Sequence, residues 1–258
     1  MGKEKVLTKK LIDQIIKKPS QEDEPYGSFS AIEDDAAIHL SKKVKAAPSL
    51  YLNGLTSLSD VAAAALGKLD CCGCPNFYLY LDGVKAISDA GLRSLAKFEG
   101  SLSLGGLNQL SDEGARALVS HKGGRLWLNG LTSSTESAAK ILSAYYKGKN
   151  SGEFLSFGAL AEASDETLKE LVKYKGRLGL SGLKKISDSA AKILAGHRGS
   201  FLDLSGLKTL SGAAAKALAG YKGYDTVYKS SGKIRLGKEA GQVLLKQKGG
   251  DGVLFDDE

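Results

Sequence analysis

Apolar positions along this chain recur in a fixed phrase rather than in scattered blocks. From Leu50 onward the pattern is Leu-x-Leu-x-Gly-Leu-x-x-Leu/Ile-Ser-Asp-x-Ala-Ala-x-x-Leu, repeated about every two dozen residues. Aligning on the Leu that follows the Gly places Leu55, Val84, Leu107, Leu131, Leu160, Leu183 and Leu207 in one column. A unit this short cannot bury its apolar face alone, so repetition at this period predicts a solenoid of stacked coils. Within a unit such as Phe77–Gly100, Leu79-Tyr80-Leu81 alternates with period two, which predicts a short strand with the leucines inward and Tyr80 outward. Gly83 marks a turn, and Val84 and Ile87 return to the core.

A helix follows. Ser88-Asp89 supplies a hydroxyl to accept from free helical N–H groups and a carboxylate at the positive end of the dipole. Its counterparts are Ser59-Asp60, Ser111-Asp112, Thr135-Glu136, Ser164-Asp165, Ser187-Asp188 and Ser211-Gly212, so all seven repeats carry a hydroxyl and the last lacks the acid. The helices are short and Ala-rich, which keeps each coil thin. Gly100, Gly123, Gly148, Gly176, Gly199 and Gly223 stand where left-handed C-cap residues are expected. Successive Leu-column intervals of 29, 23, 24, 29, 23 and 24 residues place insertions at Gly67–Asn76 and near Tyr146–Gly152. That pattern suggests duplication of a three-repeat block.

The phrase resembles the leucine-rich repeats of bacterial proteins that carry tandem Leu-x-Leu-x-Gly-Leu-x-x-Leu-Ser-Asp-x-Ala-Ala units. The resemblance covers roughly Leu50–Gly223, with a degenerate copy at Phe29–Leu40 and a worn one around Leu236–Leu244. It implies an α/β leucine-rich-repeat solenoid, parallel strands on one face and short helices on the other. It also implies a binding scaffold without catalytic residues. Gly-Leu stands where the common consensus places a laddering Asn. The expected organisation is residues 1–48 as an amphipathic cap helix plus the degenerate repeat, 49–223 as seven repeats, and 224–258 as a degenerate repeat and acidic tail. The cap helix is expected over Thr8–Lys18, with Leu11, Ile12, Ile15 and Ile16 on one side and Pro19 closing it. The acidic tail should fray unless Leu254 and Phe255 dock on the last repeat.

Composition narrows the function. No apolar run approaches the roughly 18 residues of a spanning helix, and no secretory signal is evident, so a cytoplasmic location is expected. Net charge is +7 with 25% charged residues, which raises nucleic-acid binding as an alternative. Its carriers would be helix-face cations: Arg93, Arg116, Lys140, Lys169, Lys192 and Lys216, then Lys122, Lys175, Arg198, Lys222 and Lys248. Many of these are also explained structurally, since Asp89–Arg93, Asp112–Arg116 and Asp188–Lys192 have i,i+4 spacing and the second set falls in last helical turns.

Enzyme motifs are absent: no phosphate-binding loop, dinucleotide fingerprint, His-Glu-x-x-His or Gly-x-Ser-x-Gly occurs. Catalytic, cofactor and metal sites are therefore not expected. Cys71, Cys72 and Cys74 could be redox-active or offer thiolates, but a closed zinc site needs four ligands. His121 and His197 fall in a column with Leu69, Phe98, Tyr145, Tyr174 and Tyr221, which predicts a stacked ladder rather than catalysis. The outward strand positions offer the strongest functional signal. Tyr51, Tyr78, Tyr80, Arg125, Trp127 and Phe154 cluster there, types enriched in binding hot spots, and Trp127 is the only Trp. The expected partner is an unidentified protein. Cross-strand pairing of aromatics without any partner would also account for them.

Overall fold

Strand pairing at about 4.8 Å sets the distance between successive coils, and the residues that tolerate so short a distance determine the fold. The computed structural model describes residues 5–17, 26–44, 49–70, 77–132, 136–145, 153–225, 230–231, 233–248 and 253–255. The chain divides into two compact units, Met1–Leu128 and Asn129–Glu258. Each is an α/β repeat solenoid with parallel strands on one face and short helices on the other.

In the first unit the strands Ser49–Tyr51, Tyr78–Tyr80, Ser101–Ser103 and Arg125–Trp127 pair in order, all parallel. Equivalent leucines meet in register, Leu50 with Leu79, Leu79 with Leu102 and Leu102 with Leu126. These leucines, with Leu52, Leu81, Leu104 and Leu128, form the buried spine. Helices Asp60–Leu66, Asp89–Leu95 and Asp112–Val119 lie behind it, each packed on the next. In the second unit the strands Phe154–Ser156, Arg177–Gly179, Phe201–Leu204, Lys233–Leu236 and Val253–Phe255 form the parallel series. Helices Glu136–Ser143, Asp165–Leu171, Asp188–Leu194, Gly212–Ala219 and Lys238–Lys248 back them. The tail strand Val253–Phe255 docks on Ile234–Leu236, so this part of the tail is paired rather than frayed. An antiparallel pair, Tyr224–Asp225 with Ser230–Ser231, had no signal in the repeat phrase.

The N-terminus holds more than one worn coil. Val6–Leu7 and Ala31–Ile32 pair in parallel, each followed by a helix, Lys9–Lys17 and Asp34–Lys43. Ile12 is fully buried, as a cap face requires, whereas Ile16 is 44% exposed. His39 Nε2 donates to Asp13 Oδ1 at 2.7 Å and ties the two helices together. That bond holds the Asp13 carboxyl below its ordinary range.

The hydroxyl column caps helices as expected. Ser59, Ser88, Ser111, Ser164, Ser187 and Ser211 each accept a backbone N–H three residues on, at 2.8–3.1 Å. Thr135 lies outside the described residues. Four of these hydroxyls also donate backward: Ser59 to Asp34, Ser88 to Asp60, Ser111 to Asp89 at 2.6 Å and Ser211 to Asp188 at 2.5 Å, while Ser164 and Ser187 bond to Thr167 and Ser189 of their own helices. The acid beside one cap thus accepts from the cap of the next coil. A charge-assisted bond to a neighbouring hydroxyl outcompetes a flexible cation four residues along the helix. Arg93 and Arg116 both turn to Glu113 instead of Asp89 and Asp112, at 2.7 and 3.4 Å.

The expected C-cap glycines have a different physical basis. None of Gly100, Gly123, Gly176, Gly199 and Gly223 adopts a positive φ, and Gly148 lies outside the described residues. The helices end earlier, on residues such as Ala96, Ser120 and Ala195 in right-handed geometry. These glycines are required by proximity. A Cβ on Gly123 would sit 1.7 Å from the carbonyl oxygen of Gly100, and one on Gly199 would sit 1.8 Å from that of Gly176. Against this glycine lane stands the predicted ring ladder. Phe98 stacks with His121 at 6.5 Å, Tyr145 with Tyr174 at 6.3 Å and His197 with Tyr221 at 6.3 Å. Tyr221 donates to Gly199 O at 2.6 Å.

Burial makes His197 a pH-sensitive part of this ladder. Desolvation lowers its pKa to about 4 from 6.5 despite backbone hydrogen bonds that oppose the shift. An unfolded chain then binds this proton more readily than the folded one between those values. Stability present above pH 6.5 is lost as pH falls toward 4, on the order of 3 kcal/mol if the shift is fully expressed. Urea unfolding at pH 7 and pH 5 should show this loss in the wild type and a smaller one in His197→Phe. An equal loss in both would remove His197 as its source.

Candidate functional site: an aromatic strand face

The alternation that sends leucines inward sends Tyr51, Tyr80, Ser103 and Trp127 outward on neighbouring strands of the first unit. One column over run Ser49, Tyr78, Ser101 and Arg125. Tyr51 and Tyr80 lie directly opposite each other, with ring centroids 4.6 Å apart and planes within 4°. They are stacked at the strand spacing itself.

The next rung is different. Tyr80 and Trp127 stand two strands apart, roughly 9.6 Å at the usual spacing, yet their rings approach to 6.5 Å with planes 23° apart. Tyr78 reaches Trp127 at 6.0 Å and Tyr80 at 6.0 Å. Both contacts with Trp127 span the intervening strand, where Ser101 and Ser103 are only 3% and 4% exposed. Small side chains there leave the space into which the rings lean. Arg125 spans the same gap, donating from Nη1 to Tyr78 Oη at 2.9 Å with its guanidinium carbon 5.7 Å from the Tyr78 ring centre. Burial, with the neighbouring Tyr51, Tyr78 and Asp82 next in order, raises the Tyr80 pKa.

A polar ladder borders the rings. Asn53 Oδ1 accepts from Asp82 N at 3.1 Å. Asp82 Oδ1 accepts from Gly105 N at 2.7 Å and from the Ser103 hydroxyl at 2.5 Å. In the second unit Asn129 Oδ1 takes the same role toward Gly158 N and the Ser156 hydroxyl, at 2.9 and 2.8 Å. This ladder of side-chain oxygens from Asn53, Asp82 and Asn129 links neighbouring coils. Its signal was the Asn53, Asp82, Asn129 column beside the strand.

Of the six candidate residues, Tyr51, Tyr78, Tyr80, Arg125 and Trp127 form one cluster in the first unit. Phe154 belongs to the second unit, in a ladder the sequence reading did not assemble. The Arg177 guanidinium lies 5.7 Å from the Phe154 ring centre and 4.7 Å from that of Phe201, and Arg235 lies 5.6 Å from Phe201. Such cation–π contacts contribute roughly 0.5–1 kcal/mol each at exposed sites. The alternation Phe154, Arg177, Phe201 in one column was the available signal.

The helix-face cations are engaged in part. Lys122 pairs with Glu99 at 3.0 Å, Lys169 with Glu166 at 3.7 Å, and Lys173 with Glu170. Cys71, Cys72 and Cys74 lie outside the described residues. Among the described residues no His, Cys, Asp or Glu group is arranged to hold a metal ion, and no helix is long and apolar enough to cross a membrane. No family model matches this sequence, and no curated protein matches it.

Trp127 is the chain's only tryptophan, so its emission reports on this face directly. Tyr80→Ala should shift that emission to the red and raise its quenching by acrylamide while leaving the far-UV spectrum unchanged. Unaltered emission would show that Tyr80 does not shield the indole.

Proposed function

We propose that this chain is a non-catalytic binding scaffold of the bacterial leucine-rich-repeat type, acting in the cytoplasm and recognising another protein through the strand face of its first unit. The observation that carries this reading is the Tyr51–Tyr80–Trp127 stack with Arg125 bound to Tyr78. Both faces of Tyr80 are flanked by other rings, yet Tyr51, Tyr78, Tyr80, Arg125 and Trp127 all remain half-exposed. Such a stack meets its surroundings with ring edges and polar tips. Edges suit the backbone and side chains of a protein surface. Stacking on nucleobases requires exposed ring faces, which Tyr80 does not have. The rings are also held in place before binding, so little side-chain entropy remains to be lost.

The alternative, nucleic acid on the helix face, has less support where Arg93, Arg116, Lys122, Lys169 and Lys173 are paired with glutamates. Affinity capture from the source cells decides between them. The expected result is a protein retained by the wild type from low to physiological salt and lost with Trp127→Ala. An identical set of captured proteins with Trp127→Ala would overturn the assignment of this face. Capture of nucleic acid that falls away steeply with salt would favour the helix face.

A further inference from the structure

A different surface of the second unit carries its own observation. The turns after strands Arg177–Gly179 and Phe201–Leu204, with the start of the helix Lys238–Lys248, bring Lys184, Lys208 and Lys238 to one open groove of about 530 Å³. Ser181, Ser205, Gly206 and Gly237 also line it, and Glu239 is its one acidic lining residue. The arrangement follows from parallel register. Leu178 aligns with Leu202 and Leu202 with Ile234, so the turns beyond them stack at the strand spacing of about 4.8 Å.

Three ammonium groups unpaired among the described residues set the electrostatics of this groove, whereas part of the helix-face charge is neutralised. Lys122, Lys169 and Lys173 each reach a glutamate. Among the described residues Lys184, Lys208 and Lys238 are exposed and none has an ion-pair partner within 4.0 Å. The nearby carboxylate of Asp203 accepts from Ser205 N at 3.0 Å. The hydroxyls of Ser181 and Ser205 make no hydrogen bond to protein among the described residues and remain available as donors. The equivalent turns of the first unit carry Thr56, Lys85 and Asn108, so the lysine comb is particular to the second unit.

We propose that this groove binds a small anion carrying several phosphoryl groups, with Lys184, Lys208 and Lys238 as its cationic contacts and Ser181 and Ser205 as hydroxyl donors. A row of like charges contributed by three successive coils, with Lys184 and Lys208 at equivalent positions and Lys238 two positions earlier in its own coil, favours a ligand whose own negative charges are spread along its length. A single phosphate satisfies one rung and leaves the others repelling. Ammonium groups suit this role because each is a compact point charge on a flexible stem.

Calorimetric titration of the full chain tests it, with tripolyphosphate and orthophosphate as the probes at low salt. Tripolyphosphate should bind at least about tenfold more tightly than orthophosphate, and about tenfold more weakly to a Lys184→Gln, Lys208→Gln double variant. Lys122→Gln, which alters a paired lysine of the first unit, should leave binding unchanged. Absence of binding, equal affinity for the two anions, or an equal loss with Lys122→Gln would overturn the proposal. So would displacement of tripolyphosphate by a short single-stranded oligonucleotide that binds more tightly, since that would assign the groove to a nucleic-acid backbone. The proposal does not depend on the strand-face reading, because these variants leave Trp127 and its neighbours untouched.

Discussion

Parallel strand pairing brings the backbones of successive coils within one interstrand spacing, and each unit is organised around what fits in that gap. At the turns after several strands, and again after several helices, one coil's carbonyl oxygen occupies the space a Cβ would need. Gly83 against Asn53 O, Gly123 against Gly100 O and Gly206 against Ser181 O all show the same collision, with distances of 1.7–2.0 Å to a hypothetical Cβ. Glycine there lets the chain close down to the hydrogen-bonding distance of the sheet. The Ala-rich inner faces of the helices serve the same end, with pairs such as Ala62-Ala63, Ala138-Ala139 and Ala214-Ala215 buried.

Close stacking then puts equivalent side chains in contact, and function follows from which side chains they are. Cap serines reach the acids of the preceding coil, rings of the His/Tyr column stack, and asparagines and aspartates accept from the next turn. On the strand face the same spacing makes Tyr51 and Tyr80 stack. Two serines in the next rung let Trp127 and Arg125 join across it. Bulk at Ser101 or Ser103 would split the cluster, so two small residues are as necessary to the surface as the rings.

The repeat phrase made the architecture legible because period-two leucines, a capping hydroxyl and an Ala-rich helix each have one economical explanation. The six hydroxyl caps follow from local chemistry alone. Less legible were the interactions between coils. The i,i+4 rule looks along one helix and so pairs Asp89 with Arg93, while the closer partner is Ser111 of the following coil. A glycine after a helix suggests a left-handed cap, and only coordinates reveal the carbonyl that excludes a side chain. The candidate face was legible in residue type and column, but not in ring orientation. The cation–π contact of Arg177 with Phe154 in the second unit was one such orientation.

Paired glycine substitutions measure most directly whether inter-coil proximity governs stability. Gly199 would place a Cβ 1.8 Å from Gly176 O, whereas a Cβ on Gly212, at the start of a helix, meets nothing within 4 Å. Equilibrium unfolding in urea should show Gly199→Ala destabilised by about 1–3 kcal/mol and Gly212→Ala neutral or slightly stabilised through reduced chain entropy. Equal stability of the two variants would contradict the claim that backbone closeness, rather than loop flexibility, fixes these glycines.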